Sequence, residues 1–185
     1  MLDREHRLVE LVDPAGRRTG TATVAQAHTA PGRLHRAFSV LLVTPDRQRL
    51  LLQQRAPAKT RFPLRWANAC CGHPAPGQPV AAAAARRLAE ELRVTGVALA
   101  EIGVYRYRAA DPDSGGVEHE YDHVLLGQLP AEQPLAPDPA EVATLRWVDP
   151  AELSDLLAGP PGAYAPWLAG VVAPLAIAAG PDWQR

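Results

Sequence analysis

Apolar and polar positions along this chain alternate with two periods, and the switches between them mark out its elements. Arg7–Asp13 alternates apolar and polar residues as an edge strand does, turns at Asp13-Pro14-Ala15-Gly16, and leads to a second short strand near Thr19–Val24. This predicts an opening hairpin. The segment Ala27–Arg36 reads as a loop, and it precedes a strongly β-prone run at Ala37–Thr44. Pro45-Asp46-Arg47-Gln48 turns the chain into a returning strand, Arg49–Gln54. Arg55–Trp66 is a loop rich in Lys and Arg, where Pro57 and Pro63 exclude a regular helix. The period then lengthens. Pro79–Leu92 predicts a helix, because Pro79 suits a first helical position and the alanine-rich run behind it has high helical propensity. Val97–Ile102 and Val104–Arg108 return to strand, Asp111–Gly116 to turn, and Val117–Leu129 to a long strand. Thr144–Val148 is a short strand leading to Asp149, an N-cap for Pro150–Ala158, and Ala165–Ala179 makes a last apolar helix interrupted by Pro174. The pattern is a mixed sheet with helices on its faces, in the α/β to α+β range.

Composition narrows the class. At 185 residues and 47% apolar, the chain suits one compact domain, 1–185 with a core at about 8–170, better than two. Its 19 basic and 20 acidic side chains leave a formal charge of −1, which gives no global electrostatic case for nucleic acid or anionic membrane. Any anion site is therefore local. The charged N-terminus lacks the apolar region of a signal peptide, and no stretch approaches a membrane span. Cys70 and Cys71 are sequence neighbours, poorly placed to bridge each other, and are expected as free thiols. A cytoplasmic monomer is the expectation.

The chemistry-bearing residues are concentrated in two places. Glu118 and Glu120 are two apart on a predicted strand, so both carboxylates leave one face while His119 leaves the other. If His28, His35 and His73 converge on them, three imidazoles and two carboxylates suit Mn²⁺, Zn²⁺ or Fe²⁺, and Mg²⁺ less well. The alternative is solvated carboxylates and hydrogen-bonded turn histidines. The second place runs from Asn68-Ala69-Cys70-Cys71-Gly72-His73-Pro74 to Arg86-Arg87-Leu88-Ala89-Glu90-Glu91-Leu92. Cys71 is either a small buried hydrophobe or a reactive thiol, and reactivity asks for an electropositive, partly exposed setting that His73 and Arg87 would supply. Arg87–Glu91 is either a surface i,i+4 pair, worth about 0.3–0.5 kcal/mol, or part of a diphosphate site. In the second reading Glu91 reaches a phosphate-bound Mg²⁺ and Arg87, Arg55 and Lys59 face the anion.

These residues resemble a family. The run from Gly72 through Gln78 to Arg86-Arg87-Leu88-Ala89-Glu90-Glu91-Leu92-Arg93-Val94 is similar to a degenerate Nudix box, a loop and helix that bind a metal-bound diphosphate. Ala27-His28-Thr29, Arg33–Ser39, the Cys71-Gly72-His73 segment, Arg106–Ala109, Glu118-His119-Glu120-Tyr121 and Ala165-Pro166-Trp167 together resemble the type 1 isopentenyl-diphosphate Δ-isomerase family, from about Leu8 to Trp167. The resemblance implies a Nudix-like mixed sheet sandwiched between helices. It implies an isomerase that moves a double bond in a small diphosphate through a tertiary carbocation, in isoprenoid precursor synthesis. By the same resemblance His28, His35, His73, Glu118 and Glu120 match metal ligands, holding one divalent ion (Mn²⁺, Zn²⁺ or Mg²⁺). Cys71 rather than Cys70 matches the catalytic cysteine and Glu120 the catalytic glutamate, with Tyr107 assisting. Glu91 matches a ligand of substrate-bound Mg²⁺. Arg55, Lys59 and Arg87 match basic residues facing the diphosphate, and Tyr107 and Trp167 line the hydrocarbon end.

Three departures from the pattern involve four positions. Gln78 and Arg87 stand where Nudix hydrolases usually carry glutamates, which favours isomerase over diphosphatase. Arg93 replaces the glycine that follows the helix. Val24 stands where the isomerase family commonly has a diphosphate-facing lysine, so affinity, or the preferred prenyl-type diphosphate, is open. The competing readings are a Nudix-type diphosphatase and a non-catalytic diphosphate- or metal-binding protein.

Overall fold

The computed structural model describes residues 4–160, 162–179 and 183. The first three residues of the charged N-terminus and Gly180 lie outside them. The opening hairpin forms from β1 (Leu8–Val12) and β2 (Arg18–Thr23), paired antiparallel. Here β1 is not the edge that its alternation suggests: Leu11 also pairs with His35 of β3 (His35–Val43), and β2 is the outer strand. The polar position that mimicked a solvent face, Glu10, is buried and bound by Arg36 at 3.1 Å and by the Gly77 amide at 3.1 Å. A short helix α1 (Val24–His28) follows, where the pattern predicts the end of a strand and a loop. Thr23 caps it, accepting from the Gln26 amide while Gln26 reaches back to the Thr23 amide, a reciprocal box that fixes a helix too short to show a period.

β3 is the organising strand. It runs parallel to β8 (Val117–Gln128) over nine residue pairs and antiparallel to β6 (Cys70–Gly72) on its other side. β4 (Leu50–Arg55) joins β5 (Trp66–Asn68) and β9 (Val142–Val148), and β7 (Ala100–Ala110) closes the far side against β8. The two strands expected between Val97 and Arg108 are one, with a register shift between Glu101 and Gly103. Together these nine strands form a mixed sheet.

Its two faces are both covered. The helix α2 (Val80–Leu92) packs Ala83, Ala84, Leu88 and Leu92 onto Phe38, Val40, Leu42 and Leu51. On the other face α3 (Pro150–Ala158), α4 (Leu168–Val172) and α5 (Leu175–Ala179) cover Leu41, Val43, Leu50 and Leu52. The last apolar stretch is thus two short helices broken at Pro174, as a missing amide and ring clash require. Pro79 is the N-cap of α2 rather than its first helical residue, so the helix starts one position later than expected. At the other end Arg93 adopts the left-handed conformation, φ 59°, that the resembled glycine would take freely. The helix stop is therefore kept, at the strain of a Cβ in that region.

Candidate active site

Register, rather than sequence proximity, assembles the site. His35 on β3 pairs with Glu120 on β8, and Glu120 pairs in turn with Tyr107 on β7, so three side chains stand in one row across three strands. Four residues further along β3, Ser39 pairs with Cys71 of β6. Glu118 lies two residues before Glu120 on the same face, and α1 delivers His28 over it. His73 follows β6 directly.

The result is a cluster of His28, His35, His73, Glu118 and Glu120, whose ligand atoms all lie within 4.8 Å of one another. His28 Nδ1 donates to the Val24 carbonyl and His35 Nδ1 to the Arg33 carbonyl, each at 2.8 Å. Both Nε2 atoms therefore turn inward. His28 Nε2 lies 2.8 Å from Glu118 Oε2 and His73 Nε2 lies 2.9 Å from Glu120 Oε1. His35 Nε2 is buried without a hydrogen-bond partner, 3.7 Å from Glu120 Oε1. Lone pairs aimed at one another and at carboxylates are unfavourable without a cation between them, so this donor set fits a divalent metal ion.

The proton affinities follow the same crowding. Burial pushes the His73 imidazole down to about 4, only partly countered by Glu120. Burial also opposes charge on His28, but Glu118 prevails and the net shift is upward. For Glu120 burial acts upward, yet His35 and His73 hold the carboxyl well below the usual range. Desolvation of the half-buried Tyr107, with Glu120 and Glu118 beside it, pushes it well above an ordinary phenol.

A cavity of about 670 Å³ opens beside the cluster, lined by Cys71, His73, Tyr107, Glu118, Glu120 and Trp167 together with Arg55, Lys59, Arg86 and Arg87. Trp167 is held by edge contact with Phe62 at 5.4 Å and by Tyr107 at 5.9 Å, and Arg55 lies over its ring at 5.3 Å. Arg55 is also tied to the carbonyls of Phe62 and Arg61. Lys59 binds Glu141 at 2.7 Å, and Arg87 approaches the same carboxylate at 3.5 Å. Glu91 does not belong to the five-residue cluster and does not line the cavity; it is buried and accepts from Arg87. Arg87–Glu91 is therefore no surface pair, since both side chains are buried.

The thiol's surroundings correct one expectation. Cys71 is not in an electropositive setting. Burial and then Asp122 push its thiol up to about 12, with Arg55 only partly opposing, which favours the protonated form. Arg87 instead acts beside Cys70. Asp122 itself, fully buried and accepting from Ser39 at 2.7 Å, is raised well above an ordinary carboxyl by burial and by Glu120.

Sequence reasoning missed Asp122, Glu141 and Arg61. Asp122 continues the period of two begun by Glu118 and Glu120, a signal that was present. Arg61, which binds Glu118 at 3.2 Å and also Glu5, sits in the basic loop without a pattern to single it out.

A NUDIX domain model matches residues 33–169. The isopentenyl-diphosphate Delta-isomerase of Nocardia farcinica is 64% identical over 164 residues, covering 89% of this chain and 91% of the relative. That of Streptomyces coelicolor is 55% identical, covering 80% and 74%, and that of Halorhodospira halophila 41%, covering 95% and 97%. Among solved structures, a Deinococcus radiodurans protein superposes with a TM-score of 0.70 at 17% identity, covering 89% of this chain and 97% of the other. The NUDIX domain of Shewanella oneidensis NrtR, solved with ADP ribose, gives 0.57 at 18%, covering 90% and 93%. These two establish the fold. By the domain match and the length and identity of its relatives, the chain belongs to the NUDIX domain family and, within it, to the isopentenyl-diphosphate Delta-isomerase family.

Proposed function

We propose that this protein converts isopentenyl diphosphate to dimethylallyl diphosphate. The observation that carries the reading is the Cys71 thiol in the same cavity as the Glu120–Tyr107 pair, with Trp167 and the cations Arg55, Lys59 and Arg87 also lining it. Moving an unactivated double bond requires one proton delivered to the terminal carbon and another removed two carbons away, with no net proton gained. Cys71 and the Glu120–Tyr107 pair are the two proton-handling groups. The intermediate tertiary cation needs a dry site with no nucleophile to trap it, and an aromatic face such as Trp167 stabilises such a charge by about 2 kcal/mol when desolvated.

His28, His35, His73, Glu118 and Glu120 would hold one divalent ion, of which Mn²⁺, Zn²⁺ and Mg²⁺ are the candidates. When bound it neutralises the carboxylates and fixes the orientation of Glu120. Arg87 and Lys59, with Arg55, take the diphosphate, whose binding positions the alkene at the far end. A Mg²⁺ carried by the diphosphate would draw on Glu91, the carboxylate that Arg87 now engages. Two free cysteines suit a reducing compartment, and a cytoplasmic monomer is the proposed setting.

The test is a proton and phosphorus NMR time course with isopentenyl diphosphate and Mg²⁺ in D₂O. Dimethylallyl signals with deuterium incorporated and an intact diphosphate are expected. Phosphate release with the alkene unchanged would establish a diphosphatase instead.

A further inference from the structure

Asn68 ends β5 as a fully buried amide with every polar atom committed. Its Nδ2 donates to the Cys70 carbonyl at 2.8 Å and to the Val40 carbonyl at 3.3 Å. Its Oδ1 accepts from two cavity residues, the Cys71 thiol at 3.2 Å and the Trp167 indole Nε1 at 3.2 Å. Turning the amide over would set its NH₂ against two donors and its oxygen against two carbonyls, so only one orientation satisfies the site.

We propose that Asn68 is a positioning residue whose Oδ1 fixes the Cys71 sulfur and the Trp167 ring relative to each other. The inference rests on the isomerase reading. Cys71 arrives on β6 and Trp167 from the segment before α4, 96 residues later in the sequence, and nothing in the register of the sheet relates the two. Their shared acceptor does. The other polar neighbour of the sulfur, Ser39 Oγ, is longer at 3.6 Å and already donates to Asp122. With one oxygen holding both donors, the proton-bearing atom and the π face keep a constant separation while the substrate is exchanged. Loss of that oxygen leaves a thiol free to rotate and an indole free to tilt, and a small misplacement at a reacting centre carries a large rate penalty.

The experiment compares wild type with Asn68→Leu, which has the same branching of heavy atoms in a bulkier side chain without the acceptor, and Asn68→Asp, which keeps an oxygen but loses the anchoring NH₂. Both should lower kcat by about tenfold or more while KM changes less than about twofold, because the diphosphate end is untouched. Ser39→Ala should cost less. The spectroscopic arm is independent of turnover. The S–H stretching band, assigned by its loss in Cys71→Ala, should sit at the hydrogen-bonded position in wild type and move to the free-thiol position in Asn68→Leu. The indole N–H resonance assigned with Trp167→Phe should shift in parallel. A folded Asn68→Leu with unchanged kcat, or a wild-type thiol band at the free position, overturns the inference. Should both variants fail to fold, the wild-type band and indole resonance decide it alone. Wild type that fails to isomerise the substrate defeats the isomerase reading instead and leaves the spectroscopic result to judge the hydrogen bonds.

Discussion

Tyr107 and Glu120 face each other across the β7–β8 ladder, and the phenol donates to Glu120 Oε2 at 2.7 Å while Oε1 of the same carboxylate faces His73 at 2.9 Å. Burial and the two nearby glutamates hold Tyr107 as the neutral phenol, and the imidazoles hold Glu120 as the carboxylate. The pair is thus a carboxylate whose second oxygen is oriented by a donor that does not lose its proton. Tyr107→Phe removes only the hydroxyl. It should lower kcat by about 10²-fold, the lower end for a group assisting proton transfer, with KM and melting temperature nearly unchanged. Steady-state rates in the two proteins check this, and equal kcat values would remove Tyr107 from the chemistry.

The two adjacent cysteines separate cleanly. Cys71 borders the cavity and Cys70 packs into the core beneath α2. Cys71→Ala should abolish isomerisation, whereas Cys70→Ala should keep most of it; similar losses in the two variants would refute the assignment. A thiol held near 12 is also a poor nucleophile at pH 8, where it alkylates roughly 10³-fold more slowly than an ordinary cysteine. The sign follows directly. The folded thiol binds its proton more tightly than the unfolded one, so the associated stability is complete below about pH 8.5 and fades as pH rises toward 12. Iodoacetamide should label neither cysteine rapidly at pH 8 until denaturant is added.

Much of this arrangement is legible in the sequence. Strand periodicity placed Glu118 and Glu120 on one face, because a period of two survives whatever a strand packs against. Helix α2 was marked by its alanines. The short helix α1 was not, since five residues display no period and its identity lies in the Thr23–Gln26 box. Nor was the buried nature of Glu10, as alternation looks the same whether the second face meets water or a salt bridge. The site resisted in the same way. Residue types proposed the metal set, but only the β3–β8 register carries His35 to Glu120, and no local pattern in the sequence encodes which strands pair. The setting of Cys71 was misjudged because His73 and Arg87 are near in sequence, while Asp122, distant in sequence, stands closer in effect.

The five-donor cluster predicts a metal stoichiometry. Protein purified without chelator should carry one divalent ion per chain by elemental analysis, and His35→Ala, which deletes the inward lone pair without a partner, should lose most of it. Glu118 and Glu120 would then face each other with only imidazoles and Arg61 to offset them. Ion binding at about 10³ times its Kd stabilises by about 4 kcal/mol, so chelation should lower Tm on the order of 10 °C. Differential scanning calorimetry with and without chelator reads this directly. A melting temperature indifferent to chelator would mean that no tightly held ion is bound to the folded cluster, and would refute the metal site.

Glu141, which also lines the cavity, gathers Lys59, Arg87 and Arg4 onto one carboxylate, a place where cations outnumber the anion they share. Burial acts to raise Glu141, but Lys59, with Arg4 and Arg87, leaves it below the usual carboxylate value. Its contribution to stability is therefore present above the unfolded carboxyl pKa, about 4.3, and is lost as pH falls through the lower folded value. Glu141→Gln should flatten the acid limb of a stability-versus-pH curve. At neutral pH the same substitution leaves Lys59, Arg4 and Arg87 without their common carboxylate, so an added anion has more to gain. Inorganic pyrophosphate should raise Tm more in Glu141→Gln than in wild type, and the excess should shrink as salt is added, because partly exposed cations are screened. Equal shifts in the two proteins would place the diphosphate away from Lys59 and Arg87, and the cationic rim would then be structural.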